Sequence, residues 1–223
     1  TTQFRMHPNI MKMINYFYDN QLTCGNPDEP REHQIILKSK LNTLVDANKH
    51  LLWVDTSNDD KGVAYKDNES TNIIEAKLIA KTLVNINAQM KKHGYHTKNK
   101  QKVGVVSFYQ SQCRTIRDEI RKENSGKLDF EAIHVEINTV IRYQGKEKPI
   151  ILISLVRNDG KPKDHKRSSR ANIARFEFIN VAMSRAQNLL MVFGARNMLE
   201  LRDVNLPNMD QPGTSKRKIY QDI

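Results

Sequence analysis

The sequence predicts an α/β fold, a mostly parallel central sheet with helices on both faces. Three observations carry that expectation. Short apolar runs at Leu51 to Val54, Val103 to Ser107, Ile150 to Val156 and Leu189 to Phe193 alternate with helical stretches. Strands separated by helices give a parallel sheet with right-handed crossovers. The run from Ile150 to Val156, IILISLV, is apolar without alternation, as a strand covered on both faces must be. Finally, Asn72 followed by Glu75 has the spacing of a capping box, which marks a helix start rather than a loop.

The elements follow in order. A first helix is expected before residue 19. The stripe Ala76, Ile79, Leu83, Ile86 and Met90 keeps steps of three and four residues behind Asn72, which is helical periodicity. A helix with Tyr109, Cys113, Ile116 and Ile120 on one face follows VGVVS. Ile133, Val135 and Ile137 alternate with His134 and Glu136, the period of a strand. Phe176 to Gly194, FEFINVAMSRAQNLLMVFG, reads as a helix running into a buried strand with Arg185 at the junction.

Three segments fall outside this rhythm. Residues 19 to 50, with Gly25, Pro27 and Pro30, are expected to be a loosely packed connection. The stretch from Arg157 to Arg170 carries six cations against two aspartates and is expected to be a mobile loop. The tail from Leu206 to Ile223 is polar and expected to be disordered, leaving residues 1 to 205 as one domain.

Composition narrows the function. A chain of 223 residues, 38% hydrophobic and 27% charged, suffices for one sizeable core. No run of about 18 apolar residues suggests a membrane span, and TTQFRMHP has no secretory leader pattern. A cytoplasmic or nuclear protein is expected. The two cysteines, Cys24 and Cys113, stand far apart and read as ordinary thiols. A net charge of +11 favours polyanionic partners, although a basic surface without one is the plainer alternative. No H-E-x-x-H cluster and no G-x-S-x-G elbow occurs, which argues against a zinc or serine hydrolase. A nuclease reading of Asp67, Glu75 and Lys77 fails because Glu75 and Lys77 fall on the helix.

Several segments carry a resemblance. QFRMHPNI from Gln3 to Ile10 with FYDNQL after it, Asn72 with Glu75 and Ala76, VVSFYQSQ, INTVIRYQGKEKPIILISLVR and FINVAMSRAQNLLMVFG stand in the order of the superfamily 1 helicases. The branch is that of the nonsense-mediated-decay helicase, and the resemblance spans roughly residues 3 to 200. It implies a RecA-like P-loop NTPase fold, the second of two domains that hold ATP and Mg2+ in the cleft between them. The sequence lacks a Walker A loop of its own, since Ser125-Gly126-Lys127 has no upstream glycine and runs into Leu128. The phosphate loop and magnesium carboxylates are therefore expected from an N-terminal RecA-like domain, and this stretch alone is expected to be inactive.

By the same resemblance Arg185 and Arg5 are arginine fingers. Each taken alone could as well cap a helix or pair with a carboxylate. Gln144, Gly145, Lys146 and Glu147 match the nucleotide-facing loop, with Glu147 suited to a ribose hydroxyl, though Gln-Gly before a strand is also simply a turn. Ser107, Tyr109, Gln112 and Thr139 match the track for single-stranded DNA or RNA, although strand-end hydroxyls are common in any sheet. Phe108 replaces the family's usual proline, Ile141 its aspartate, Lys146 its arginine and Glu177-Phe178 its arginine pair. These departures keep open a degenerate, non-catalytic module that binds nucleic acid or protein.

Overall fold

The computed structural model describes residues 2–27, 33–38, 43–160, 173, 175–208 and 212–223. In chain order its elements are β1 (Thr2–Gln3), α1 (Pro8–Ile14), β2 (Thr23–Cys24), β3 (Leu37–Lys38), β4 (Thr43–Val45), β5 (Leu51–Asp55), α2 (Ile73–Lys92), β6 (Gln101–Ser107) and α3 (Gln110–Glu123). There follow β7 (Ile133–Thr139), β8 (Lys148–Ser154), α4 (Phe176–Met183), β9 (Ala186–Gly194), α5 (Arg196–Leu199), β10 (Val204–Pro207) and β11 (Thr214–Arg217).

The central sheet has five strands in the order β5-β9-β8-β6-β7, every pair parallel. The strand with the unbroken apolar run, β8, is the middle one, and it is buried from Ile150 onward. Its side chains alternate between two cores. Ile150 and Leu152 join Ala76, Ile79 and Leu83 of α2 and Cys113 and Ile116 of α3 on one face. Ile151 and Ile153 join Ile10 and Ile14 of α1 and Ile179 and Met183 of α4 on the other. Helices therefore cover both faces, as the apolar run requires.

Local chemistry sets the boundaries. Asn72 accepts hydrogen bonds from the N–H groups of Ile74 and Glu75, capping α2. At α1 the imidazole of His7 caps by accepting from Asn9 N–H, with Pro8 in the first turn. Burial pushes the Cys113 thiol up to about 11, so this cysteine is an inert core group.

Two expectations change. Within the connection 19 to 50, β2 pairs with β1 of the N-terminal segment and β3 pairs with β4, and Ile35 and Val45 are buried with α2, because those aliphatic groups complete that core. Residues 28–32 and 39–42 lie outside the described residues. The segment after Leu206 is not disordered where it is described: β10 and β11 pair antiparallel and Ile219 and Tyr220 are buried. Tyr220 packs edge-on to Trp53 and donates its hydroxyl to Ile173 O at 2.7 Å, and an aromatic with both contacts anchors a polar tail. The basic loop expected to be mobile falls, at residues 161–170, outside the described residues.

One buried group is left over. Tyr143 is fully buried over Gly104, where a Cβ would come within 2.1 Å of the phenol oxygen, so only glycine fits there. That hydroxyl has no hydrogen-bond partner among the described residues. Removing an unsatisfied buried donor while keeping the ring recovers its desolvation penalty. Tyr143→Phe is expected to raise stability by about 1 kcal/mol in denaturant titration; a loss instead would mean that the hydroxyl holds a bond.

Candidate functional site

The candidate site is built at the amino ends of β8 and β9. Lys148 pairs with Ala186 in register, and Lys148 N–H donates to Arg185 O at 3.1 Å, so Glu147 and Arg185 sit side by side just before the two central strands. The N-terminal segment is hooked to the same edge, because His7 N–H donates to Gln187 O at 2.8 Å. Between β1 and α1 the Gln3 carboxamide organises a turn. Its oxygen accepts from the N–H groups of Arg5 and Met6, at 2.9 and 2.8 Å, and its nitrogen donates to Met6 O. That turn presents Arg5 beside Arg185.

Arg5, Glu147 and Arg185 line one cleft of about 620 Å³ together with Gln3, Phe4 and Tyr18. The Nε of Arg5 pairs with Glu147 Oε1 at 2.7 Å. Arg185 donates from Nε to Val181 O at 2.9 Å and from Nη2 to Ser184 Oγ at 2.8 Å, which anchors the guanidinium to the last turn of α4. Burial lowers the pKa of Arg185, and the positive charge of Arg5 adds to the effect. Two cations facing one carboxylate leave an anion-seeking cleft.

The loop before β8 divides its side chains. Gly145 has φ +79°, which a side chain resists, and lets the chain turn toward the cleft. Lys146, expected to face nucleotide, instead pairs with Glu136 of β7, joined there by Lys148, because that carboxylate needs a counter-charge. Gln144 is exposed and neither it nor Gly145 lines the cleft; of the four loop residues Glu147 does. Sequence reasoning passed over Phe4. The residue is 61% exposed at the cleft, with its ring edge close over Gly25, and an aromatic directly before Arg5 inside a matched motif was the signal available.

At the opposite, carboxyl edge the expected nucleic-acid track is corrected in part. Ser107 ends β6 fully buried, its hydroxyl donating to Ser154 O, so it offers nothing to a phosphate. Gln112 is also buried. It binds Asn72 at both N–H and C=O and donates to Ser154 Oγ. Phe108 is buried in the core and presents no ring to a base, because it fills the space under α1 and α4. Tyr109 and Thr139 remain partly exposed, and Ile141 is 67% exposed.

Behind this edge lies a buried polar network. The capping box is only half formed, since Asn72 N–H goes to Gln112 and Glu75 turns inward. Its carboxyl accepts from Ser154 Oγ at 2.6 Å, Val156 N–H at 2.9 Å and Asn72 Nδ2 at 3.2 Å. Val156 stands at φ +71°, an outlier for a β-branched residue. Glu75 holds its N–H and Asn72 Nδ2 its C=O, which is how such strain persists. Ser125 and Gly126 turn the chain at the end of α3 and so open no helix to cradle phosphate. Among the described residues no group of three or more His, Cys, Asp or Glu is placed to hold a metal, and no helix is long and apolar enough to cross a membrane.

Comparison with known proteins bears on the family of the chain. A family profile described as an AAA domain matches residues 1–197. The DNA replication ATP-dependent helicase/nuclease JHS1 of Arabidopsis thaliana is 28% identical over 204 residues, covering 88% of this chain and 14% of that protein. Helicase SEN1 of Saccharomyces cerevisiae is 34% identical over 98 residues, 44% of this chain and 4% of its own length.

The chain belongs to the superfamily 1 helicases.

Within them it is a C-terminal, RecA-like domain of the nonsense-mediated-decay branch. DNA replication ATP-dependent helicase/nuclease DNA2 of Mus musculus is 30% identical over 225 residues, 90% of this chain and 19% of that protein. The helicase domain thus spans less than a fifth of these relatives. Parallel sheets commonly gather ligands at their carboxyl ends, yet in this helicase domain the arginine cleft lies at the amino ends of β8 and β9.

Burial pushes the Glu75 carboxyl up to about 8 against the hydrogen bonds it accepts from Ser154, Val156 and Thr56. A carboxyl that keeps its proton to higher pH when folded gives stability that is full below its ordinary value of 4.5 and lost as pH rises toward about 8. Glu75→Gln is expected to flatten the stability profile across that window, whose slope reaches about 1.4 kcal/mol per pH unit, in denaturant titrations at several pH values.

Proposed function

We propose that this chain is the second motor domain of an ATP-dependent DNA or RNA helicase or translocase. It contributes Arg5 and Arg185 to a nucleoside triphosphate site whose phosphate loop and Mg2+ ligands belong to an N-terminal RecA-like domain. The observation that carries the reading is the convergence of these two arginines, from distant parts of the chain, on one cleft.

The chemistry is that of phosphoryl transfer, in which charge spreads over the γ-phosphate oxygens and the leaving oxygen. A guanidinium stays charged and meets two oxygens at once. Arg185, braced by Val181 O and Ser184 Oγ, is the main finger and Arg5 the second. Phe4 offers a ring face on which a base can stack. When the domains close on Mg2+-bound ATP the fingers complete the site, and reopening shifts a single strand along the carboxyl edge. There Thr139 and Tyr109 are the contacts, with the backbone rather than the bases read. The basic balance of the chain supports that partner.

In the full-length protein, Arg185→Ala is expected to lower nucleic-acid-stimulated ATP hydrolysis by about 10³-fold or more, and Arg185→Lys to restore little. A fall of only about threefold in a folded protein would contradict the finger role, and a wild type without hydrolysis would favour a non-catalytic binding module. Binding to a single strand is expected to weaken with salt, log K falling by about 0.7 per neutralised phosphate for each unit of log salt. A flat response in a fluorescence titration would remove the nucleic-acid track.

A further inference from the structure

We infer that Glu147 is a positioning residue for Arg5: its carboxylate grips the guanidinium on the Nε side and sets the spacing between the two arginine fingers. This rests on the reading that the cleft takes a nucleoside triphosphate, and it gives Glu147 a role other than contact with the ribose.

The geometry begins with the contact, Arg5 Nε to Glu147 Oε1 at 2.7 Å. A guanidinium has two forks, one along Nε and one across its two terminal nitrogens. A carboxylate at Nε occupies the first and leaves the second for a phosphate. Arg5 needs such a partner. Its side chain is 46% exposed, so an unheld arginine there would sample many rotamers, and it faces Arg185, a like charge that helps lower the pKa of Arg185 after burial.

Glu147 is the one carboxylate among the described residues that line the cleft, and its backbone is fixed from both sides. Lys148 N–H is bonded to Arg185 O, and Lys146 N–H to Tyr143 O. The Glu147 backbone is thereby registered against Arg185, and its carboxylate carries that register to Arg5. With two cations and one anion the lining keeps a net positive charge, so the grip on Arg5 does not cancel the pull on a polyanion.

The test uses the full-length protein, with Glu147→Ala, Glu147→Gln, Arg5→Ala and the Arg5→Ala/Glu147→Ala double variant. Circular dichroism serves as the check on folding. Steady-state hydrolysis is measured with ATP, 2′-deoxy-ATP and 3′-deoxy-ATP, and affinity with a non-hydrolysable ATP analogue.

The inference expects kcat to fall by about 10- to 10²-fold in Glu147→Ala and Glu147→Gln. KM and the analogue's Kd should stay near wild type, and the double variant should be no slower than Arg5→Ala alone. Multiplying losses in the double variant would overturn it. So would a raised KM for ATP that matches the deoxy analogues while kcat holds, the mark of a ribose contact. A wild type that hydrolyses no ATP in the presence of nucleic acid would overturn the underlying function as well, which separates the two failures.

Discussion

Two guanidinium groups that repel each other are held at one end of a parallel sheet, and the whole amino edge is arranged around that constraint. Coulomb repulsion between them is tolerable only because a carboxylate lies at the same place and because both backbones are pinned. Arg185 is fixed by the helix it ends and the strand it begins, while Arg5 arrives through one main-chain hydrogen bond from His7 to Gln187 and a turn built on Gln3.

The carboxyl edge follows a different rule. Among the described residues, side chains without solvent contact exchange hydrogen bonds there between Asn72, Glu75, Gln112, Ser154 and the backbone of Val156. In a low-dielectric interior a satisfied network of this kind rigidifies the loops it joins, and a partly satisfied one is destabilising. The left-handed Val156 shows how firmly the strand end is held. Arg157, the next residue, is tied by Nη1 to Glu69 O and lies near Asp67, which fastens the loop before α2 to the same network.

Much of this was legible in the sequence. The strands and helices of the sheet follow from periodicity, and the central place of β8 from its unbroken apolar run. The pairing of Arg5 with Arg185 was implied by motif order rather than by any local pattern. What escaped has a physical reason in each case. Ser107 was read as presented to solvent, but in a strand buried on both faces the end residue carries no mark of which way it points. Glu75 was read as closing a capping box, yet the competing acceptor for Asn72 N–H comes from Gln112 on another helix, which local spacing cannot reveal. The tail was read as disordered because its two anchoring side chains, Ile219 and Tyr220, are too few to make a pattern, and the Trp53 that receives one of them is distant in sequence.

The segment from Thr139 to Glu147 ends β7 at one edge of the sheet and begins β8 at the other. Tyr143, at its middle, is fully buried above Gly104. Nine residues of backbone thus run from the carboxyl edge to the amino edge with their midpoint fastened in the core, so the two edges are close neighbours along the chain.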